Sequence, residues 1–318
     1  MKNMLRAENS KFGLEQKVAL ITGGASGIGR ATAVAFAAVG AGIVIADVRE
    51  QPISDGASTA EIIQQSGGKA LFFKTDVAVK SQVEILVDRA VQELGRIDIL
   101  VNNAGIGHAS SVEHTPDQVL RRLMEINFYG AVYGIQAVLP VMHAQGGGHI
   151  INISSGAAMF GLPYASVYAA SKAAMMRFSE SLRYELEGSD IKVSVIYPDY
   201  TATDLALEVT PGAGMVTRTV RGLNQEGVKK YGRPVARLRS PEEVAQAILA
   251  CALRPRGEVF LSRRIRFQGL FRCLFPATIE REARLTKKSL EEFLDKVAKG
   301  DSKTVGTSAS ENSRMADS

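Results

Sequence analysis

The chain has 318 residues, of which 46% are apolar and 22% charged, with 30 Gly and no Trp, so disorder over most of its length is excluded. A chain of this size buries roughly three quarters of its unfolded surface and needs no staples. Two cysteines, Cys251 and Cys273, form no disulfide framework or metal-ligand spacing. The net charge of +5 is uneven, with eleven Lys or Arg against three Glu between Lys229 and Arg272, which is not an evenly basic nucleic-acid footprint. The charged N-terminus lacks a secretion signal, and the uncharged stretch Ala31 to Ala46 is broken by Gly40 and Gly42. No membrane span is predicted, and a cytoplasmic location is expected.

In chain order, seven short β-branched runs read as strands: Val18 to Thr22, Ile43 to Ala46, Ala70 to Lys74, Ile97 to Val101, His149 to Ile153, Ile191 to Ile196 and Glu258 to Leu261. Helix-period segments lie between them near 27–40, 57–67, 80–94, 116–145, 164–187 and 240–253. Thr115-Pro116-Asp117-Gln118 and Ser240-Pro241-Glu242-Glu243 each offer a capping hydroxyl, Pro at the first helical position and Gln or Glu at the third. Strict β–α alternation with strands apolar on both faces predicts a doubly wound parallel seven-stranded α/β sheet in a single domain. About forty residues after Ile196 exceed the usual connection of ~2 to 6 residues and read as a lid.

The first strand runs into Thr22-Gly23-Gly24-Ala25-Ser26-Gly27-Ile28-Gly29 and then a helix. Glycines there permit a sharp turn and a close approach to a pyrophosphate, which the helix N-terminus attracts. Asp47 ends the second strand 20 residues after Gly27, where a carboxylate accepts from a ribose 2′-hydroxyl and repels a 2′-phosphate, so NAD is favoured over NADP. Arg49 weighs slightly the other way. Tyr168 and Lys172, four apart, share one helix face. An ammonium ~4 Å from a phenolate at an effective dielectric of ~20 contributes about 4 kcal/mol, or roughly three pKa units, enough to bring a phenol towards neutrality. Eight Tyr and fifteen Lys predict roughly 0.4 such pairs by chance, so the pair decides nothing alone.

Together with Asn102-Asn103-Ala104-Gly105, Asn127 and Ile153-Ser154-Ser155, these motifs resemble the short-chain dehydrogenases/reductases over about Leu14 to Leu261. That resemblance implies a Rossmann fold and an NAD-dependent oxidoreductase acting on a secondary alcohol or its ketone. It implies that Ser155 polarises the substrate oxygen, Tyr168 moves the proton, and Lys172 lowers the tyrosine pKa and holds the ribose. It also implies that Asn127 bends its helix and seats a water in a proton relay. On the cofactor side it implies Gly23, Ser26, Gly27, Ile28, Gly29 and Asp47, with Asp76 and Val77 beside adenine, Asn103 beside the ribose and Thr203 at the carboxamide. A homodimer or homotetramer follows from the same resemblance. Asp199 stands after Pro198 where the family usually has glycine. Competing readings are an NADP-dependent carbonyl reductase using Arg49 or Arg30, and a nucleotide-sensing protein that has lost the chemistry.

The chain divides into an N-terminal extension (1–13), the dehydrogenase domain (14–262, lid about 198–239), a basic amphipathic extension (263–299) and a disordered tail (300–318). Met159, Phe160, Leu162 and Tyr164, with Leu205, Leu207, Val209, Met215 and Val216, point to an apolar substrate or to simple packing. His108 reads first as a solvated loop residue and second as a substrate contact, while His143 and His149 read as surface. Arginines interleaved with Ile265, Phe267, Leu270, Phe271, Leu274 and Phe275 read first as a cover over the cleft or a subunit surface. The alternative is peripheral membrane contact through 263–275.

Overall fold

Runs of aliphatic side chains form seven parallel strands: β1 (Val18–Thr22), β2 (Gly42–Asp47), β3 (Ala70–Lys74), β4 (Ile99–Asn102), β6 (Gly148–Ile153), β7 (Ile191–Tyr197) and β10 (Glu258–Phe260). The computed structural model describes residues 13–53, 56–199, 201, 207–209, 218–220, 239–263, 265–267 and scattered positions from 274 to 291. Thr203, Leu205, Met215, Val216, nearly all of the N-terminal extension, most of the lid and the 300–318 tail therefore lie outside the described residues. The strand order β10-β7-β6-β4-β1-β2-β3 is that of a doubly wound sheet. The chain reverses direction across the sheet between β1 and β4, which opens a crevice beyond their carboxyl ends.

Helices α1 (Gly27–Ala37), α2 (Thr59–Gln65), α3 (Lys80–Leu94), α4 (Asp117–Met124), α5 (Gly130–Ala144), α6 (Ser166–Glu185) and α7 (Pro241–Leu253) cover the sheet. Side chains alternate across each strand, so neighbours serve opposite layers. Ile21, Ile43 and Ile45 pack with Phe36 of α1 and Ile248 of α7, while Leu20, Val44 and Leu100 pack with Leu86 of α3 and Val138 of α5. At the amino ends of the strands, Asp98 accepts from Lys17 Nζ (2.9 Å), Arg96 Nε (2.7 Å) and the Val18 N–H (2.9 Å).

Ser240 and Glu243 form the expected capping box with Pro241 in the first turn. Thr115 does not cap its helix. Its hydroxyl donates instead to the Ser111 carbonyl (2.8 Å), and α4 begins after Pro116 without a side-chain cap. The predicted 116–145 helix is also interrupted, by a π-turn at Glu125–Tyr129 in which the Gly130 N–H reaches the Glu125 carbonyl.

Three short strands escape the sequence pattern. β5 (Gly107–Ala109) pairs in parallel with β8 (Leu207–Val209) of the lid, and β8 pairs antiparallel with β9 (Arg218–Val220). The lid is also fastened at its base. Thr201 bridges to Arg239, and the Asp199 carboxylate meets Arg239 Nε at 3.6 Å, while the same guanidinium donates to the Leu261 carbonyl. Asp199, in place of a glycine, thus joins two chain positions forty residues apart.

Candidate functional site

The turn after β1 has the conformation that its glycines require. Gly23 (φ 65°) and Gly27 (φ 53°) are left-handed, and a Cβ on Gly29 would sit 2.1 Å from the Gly23 carbonyl oxygen. Ser26 makes no side-chain cap, which leaves the first-turn N–H groups of α1 open to an anion. The Asp47 carboxylate, half-buried at the end of β2, accepts from the Ala25 N–H (3.1 Å) and the Arg49 N–H (3.4 Å). Ile28 is half-buried against the core beneath this turn.

Other sequence-predicted binding residues have structural duties. The Asn103 amide donates to the Thr22 and Gly23 carbonyls, both at 3.0 Å, and so ties the glycine turn to the end of β4. Asp76 accepts from the Ala78 N–H (3.0 Å) and faces Arg122 at 3.6 Å, while Val77 is buried against Val83 and Ile126. The Thr22 hydroxyl accepts from the Asn103 and Ala104 N–H groups, and the Thr59 hydroxyl donates to the Gly24 carbonyl (2.9 Å). Neither threonine role was visible in the sequence, because each depends on a partner at least 35 positions away.

On the other side of the switch point, Ser155, Tyr168 and Lys172 converge. Ser155 begins a tight turn at Gly156–Ala158, where its hydroxyl accepts from the Ala157 N–H (3.1 Å), and the Gly156 N–H donates to the Pro198 carbonyl (3.0 Å). Lys172 Nζ donates to the Ile153 carbonyl (3.0 Å) and lies 5.9 Å from the centroid of the Tyr168 ring. The Ser154 hydroxyl donates to the Lys172 carbonyl (2.9 Å), docking α6 on the end of β6. Asn127 sits in the π-turn, buried, where its carboxamide accepts from the Ile106 N–H (2.8 Å) and donates to the Ile106 carbonyl (2.9 Å) and the Ser171 hydroxyl (3.1 Å). Its side chain therefore bridges the β4–β5 turn and α6. Between it and the lysine lies Gly105, where a Cβ would stand 3.2 Å from Asn127 Oδ1 and 3.5 Å from Lys172 Nζ.

The electrostatics differ from the expectation that Lys172 acidifies Tyr168. Burial raises the phenol above its ordinary value, and the neighbouring Ser155 hydroxyl, as a hydrogen-bond partner, draws it part of the way back. Burial also lowers the Lys172 ammonium to about 8. Both groups lose more hydration than the sequence spacing could reveal, and the ammonium is directed to a backbone carbonyl as well as towards the ring.

Two histidines depart from expectation. His108 lies buried in β5 with no hydrogen-bond partner for either ring nitrogen among the described residues, and burial lowers its pKa. His149 is buried too, hydrogen-bonded to Ser194 (2.7 Å) and driven down to about 4 by burial. The expected apolar group divides. Phe160 and Leu162 line a hollow of about 560 Å³ with Pro163, Ala169, Ala173 and Ala283, whereas Met159 packs against the core around Tyr197. Tyr164, with φ 60°, accepts from the Ser110 N–H at its carbonyl (2.7 Å) and donates its hydroxyl to Glu291 (2.7 Å).

Comparison with known proteins agrees with this geometry. The family model for short chain dehydrogenase matches residues 17–214. A Thermotoga maritima protein described as an uncharacterized oxidoreductase is 37% identical over 239 residues, covering 74% of this chain and 90% of its own. The chain belongs to the short-chain dehydrogenase family. Among solved members of that family, a Burkholderia phymatum short chain dehydrogenase/reductase in complex with NAD superposes with a TM-score of 0.71 at 25% identity, over 84% of this chain and 96% of that one. A 7α-hydroxysteroid dehydrogenase complexed with NADH and 7-oxo glycochenodeoxycholic acid superposes with a TM-score of 0.67 at 29% identity, over 80% and 95%. In this short-chain dehydrogenase, the crevice at the strand reversal is where the described groups gather.

Proposed function

We propose that the protein is an NAD(H)-dependent oxidoreductase that interconverts a secondary alcohol and its ketone, with an apolar, steroid-like or long-chain molecule as substrate. The observation that carries this reading is the pairing of the Ser155 and Tyr168 hydroxyls beside buried Lys172. A dinucleotide suits the turn, because Ser26 leaves the first-turn N–H groups of α1 uncapped for a pyrophosphate, and Gly23 and Gly29 let the turn close on Asn103 and Ala104 where a side chain has no room. Gly23, Ser26, Gly27, Ile28 and Gly29 would hold that pyrophosphate, Asp47 the adenosine ribose, and Asp76, Val77 and Asn103 the adenine end. When bound, the nicotinamide supplies or accepts the hydride.

The chain's own residues manage the proton. Ser155 donates a hydrogen bond to the substrate oxygen, which stabilises charge developing there in the transition state. Tyr168 gives its proton to a ketone oxygen or takes one from an alcohol. Lys172 stabilises the phenolate and, in this reading, holds the nicotinamide ribose, while Asn127 keeps α6 and the β4–β5 turn in register. A phenol held above its ordinary value is protonated near neutrality, so it is in the form that ketone reduction needs there, and alcohol oxidation, which needs the phenolate, gains rate as pH rises.

The Asp47 carboxylate favours NAD. The NADP reading is supported by Arg30, whose Nη1 is buried without a hydrogen-bond partner among the described residues and could meet a phosphate. NADH and NADPH dissociation constants, read by cofactor fluorescence, separate the two: tighter NADH supports the first, tighter NADPH the second. Absorbance near 340 nm with a panel of secondary alcohols and ketones tests the reaction, and Tyr168→Phe is expected to lose about 10²- to 10⁴-fold. Undiminished turnover in that variant would refute the proton-transfer role. For assembly we propose a homodimer or homotetramer, to be tested by light scattering.

A further inference from the structure

We infer that Arg239 is a positioning residue for Ser155: its guanidinium holds the two segments that meet at Gly156, and so fixes the hydroxyl offered to the substrate oxygen. Ser155 works from a tight turn. Its hydroxyl accepts from the Ala157 N–H (3.1 Å), a bond inside that turn, so the aim of the hydroxyl follows the backbone path through Gly156–Ala158. Gly156 is where this path is moored to distant parts of the chain.

Two contacts meet there, and both lead back to one side chain. The Gly156 N–H donates to the Pro198 carbonyl (3.0 Å). The next residue, Asp199, brings a carboxylate that is 5% exposed to 3.6 Å from Arg239 Nε, and Thr201 bridges to Arg239. A glycine at 199 could not make that pair. From another direction comes Ile265, 7% exposed, whose Cδ1 lies 2.6 Å from where a Cβ on Gly156 would stand. Ile265 sits in the turn in which the Arg266 N–H donates to the Ser262 carbonyl (3.3 Å), and the preceding Leu261 carbonyl accepts from the Arg239 guanidinium.

One planar fork therefore spans Asp199 and Leu261, a geometry that the point charge of a lysine does not reproduce. Exposed ion pairs contribute little, but the Asp199 side chain is almost wholly covered. Without Arg239 that carboxylate loses its cation and is drawn towards water, carrying the Pro198 carbonyl with it. A shift of about 1 Å in a reacting group can cost about 10²-fold in rate. The contacts stand by themselves, whereas the catalytic use of Ser155 rests on the function proposed above.

Turnover of the ketone panel, followed by cofactor absorbance, is compared in Arg239→Met, Ser155→Ala and Ser155→Ala/Arg239→Met. Asp199→Asn/Arg239→Met removes the pair together and carries the test if a stranded carboxylate keeps Arg239→Met from folding, as circular dichroism will show. Expected is a kcat at least about tenfold lower with KM within about twofold, and no further loss when Arg239→Met is added to Ser155→Ala. Arg239→Lys, which keeps the charge without the fork, should fall between. Additive losses, or a raised KM with kcat unchanged, would overturn the inference. Amide exchange at Gly156, read by NMR, needs no substrate. It should quicken at least about tenfold in Arg239→Met and in the pair variant while the amides of β1 keep their rates, and unaltered exchange would overturn the inference too. A parent that turns over nothing on the panel, with Gly156 still released in the variants, would refute the function proposed above and not the hold of Arg239 on the turn.

Discussion

Lys172→Met is expected to stabilise the fold while removing turnover. The ammonium is buried, and its value falls from an ordinary 10.5 to about 8. At 1.36 kcal/mol per unit, holding the charged form in the folded state costs about 3 kcal/mol. Methionine has similar length and no charge. The Ile153 carbonyl loses its 3.0 Å donor, at a cost of about 1 kcal/mol, leaving a net gain of about 2 kcal/mol at pH 7. The folded value lies below the unfolded one, so the destabilisation is fully present below about pH 8 and fades as pH rises towards 10.5. Urea unfolding of parent and variant from pH 7 to 10.5 reads the difference, and absorbance near 340 nm reads turnover. A variant less stable than the parent at pH 7, or a difference that stays constant over that range, would refute the assignment of Lys172 as a charge held against its own hydration.

Ser155→Ala should lower kcat by about 10²- to 10³-fold through loss of the donor to the substrate oxygen, with about 1 kcal/mol of stability lost with the cap on Ala157. Because the serine draws the Tyr168 pKa down, the pH–rate limb of alcohol oxidation should move to higher pH in that variant. His108→Leu removes two buried, unpartnered ring nitrogens and should raise stability by about 1 kcal/mol. The folded imidazole has a lowered pKa, so the gap between this variant and the parent should widen as pH falls below the ordinary histidine value of 6.5, as urea midpoints will show. Asp98→Asn should cost about 2 to 3 kcal/mol at pH 7 without changing kcat, since its partners lie at the amino ends of the strands. Burial raises that carboxyl, but bonds from Arg96, the Val18 N–H and Lys17 outweigh it and hold the folded value low. The parent's advantage should therefore be present above the ordinary carboxylate pKa of about 3.9 and vanish as pH falls through the lowered folded value.

The sheet was legible because each strand is a short apolar run, and a run such as Leu20-Ile21 must bury both faces. The glycine turn and the Tyr168–Lys172 spacing were legible because they are local. What stayed hidden depends on pairing at a distance. β5 is a three-residue strand whose partner lies a hundred positions on in the lid. Thr115 carries a capping signature, yet the Ser111 carbonyl competes successfully for its hydroxyl. The π-turn around Asn127 has no periodic signature, being fixed by the Ile106 backbone and Ser171. The burial that raises the Tyr168 phenol stayed hidden as well, because spacing gives the distance between two groups but not the water that each gives up.

The clasp of Asp199 and Arg239 also bears on how such a protein can diversify. With both roots of the loop pinned to the scaffold, the Pro198 carbonyl keeps its bond to Gly156 whatever the residues between the roots do. Doubling the length of a flexible loop adds only about 0.6 kcal/mol of closure cost. Insertions and deletions inside the buckle are thus cheap for the fold, so new ligand preferences can be drafted there without redrawing the chemistry beneath.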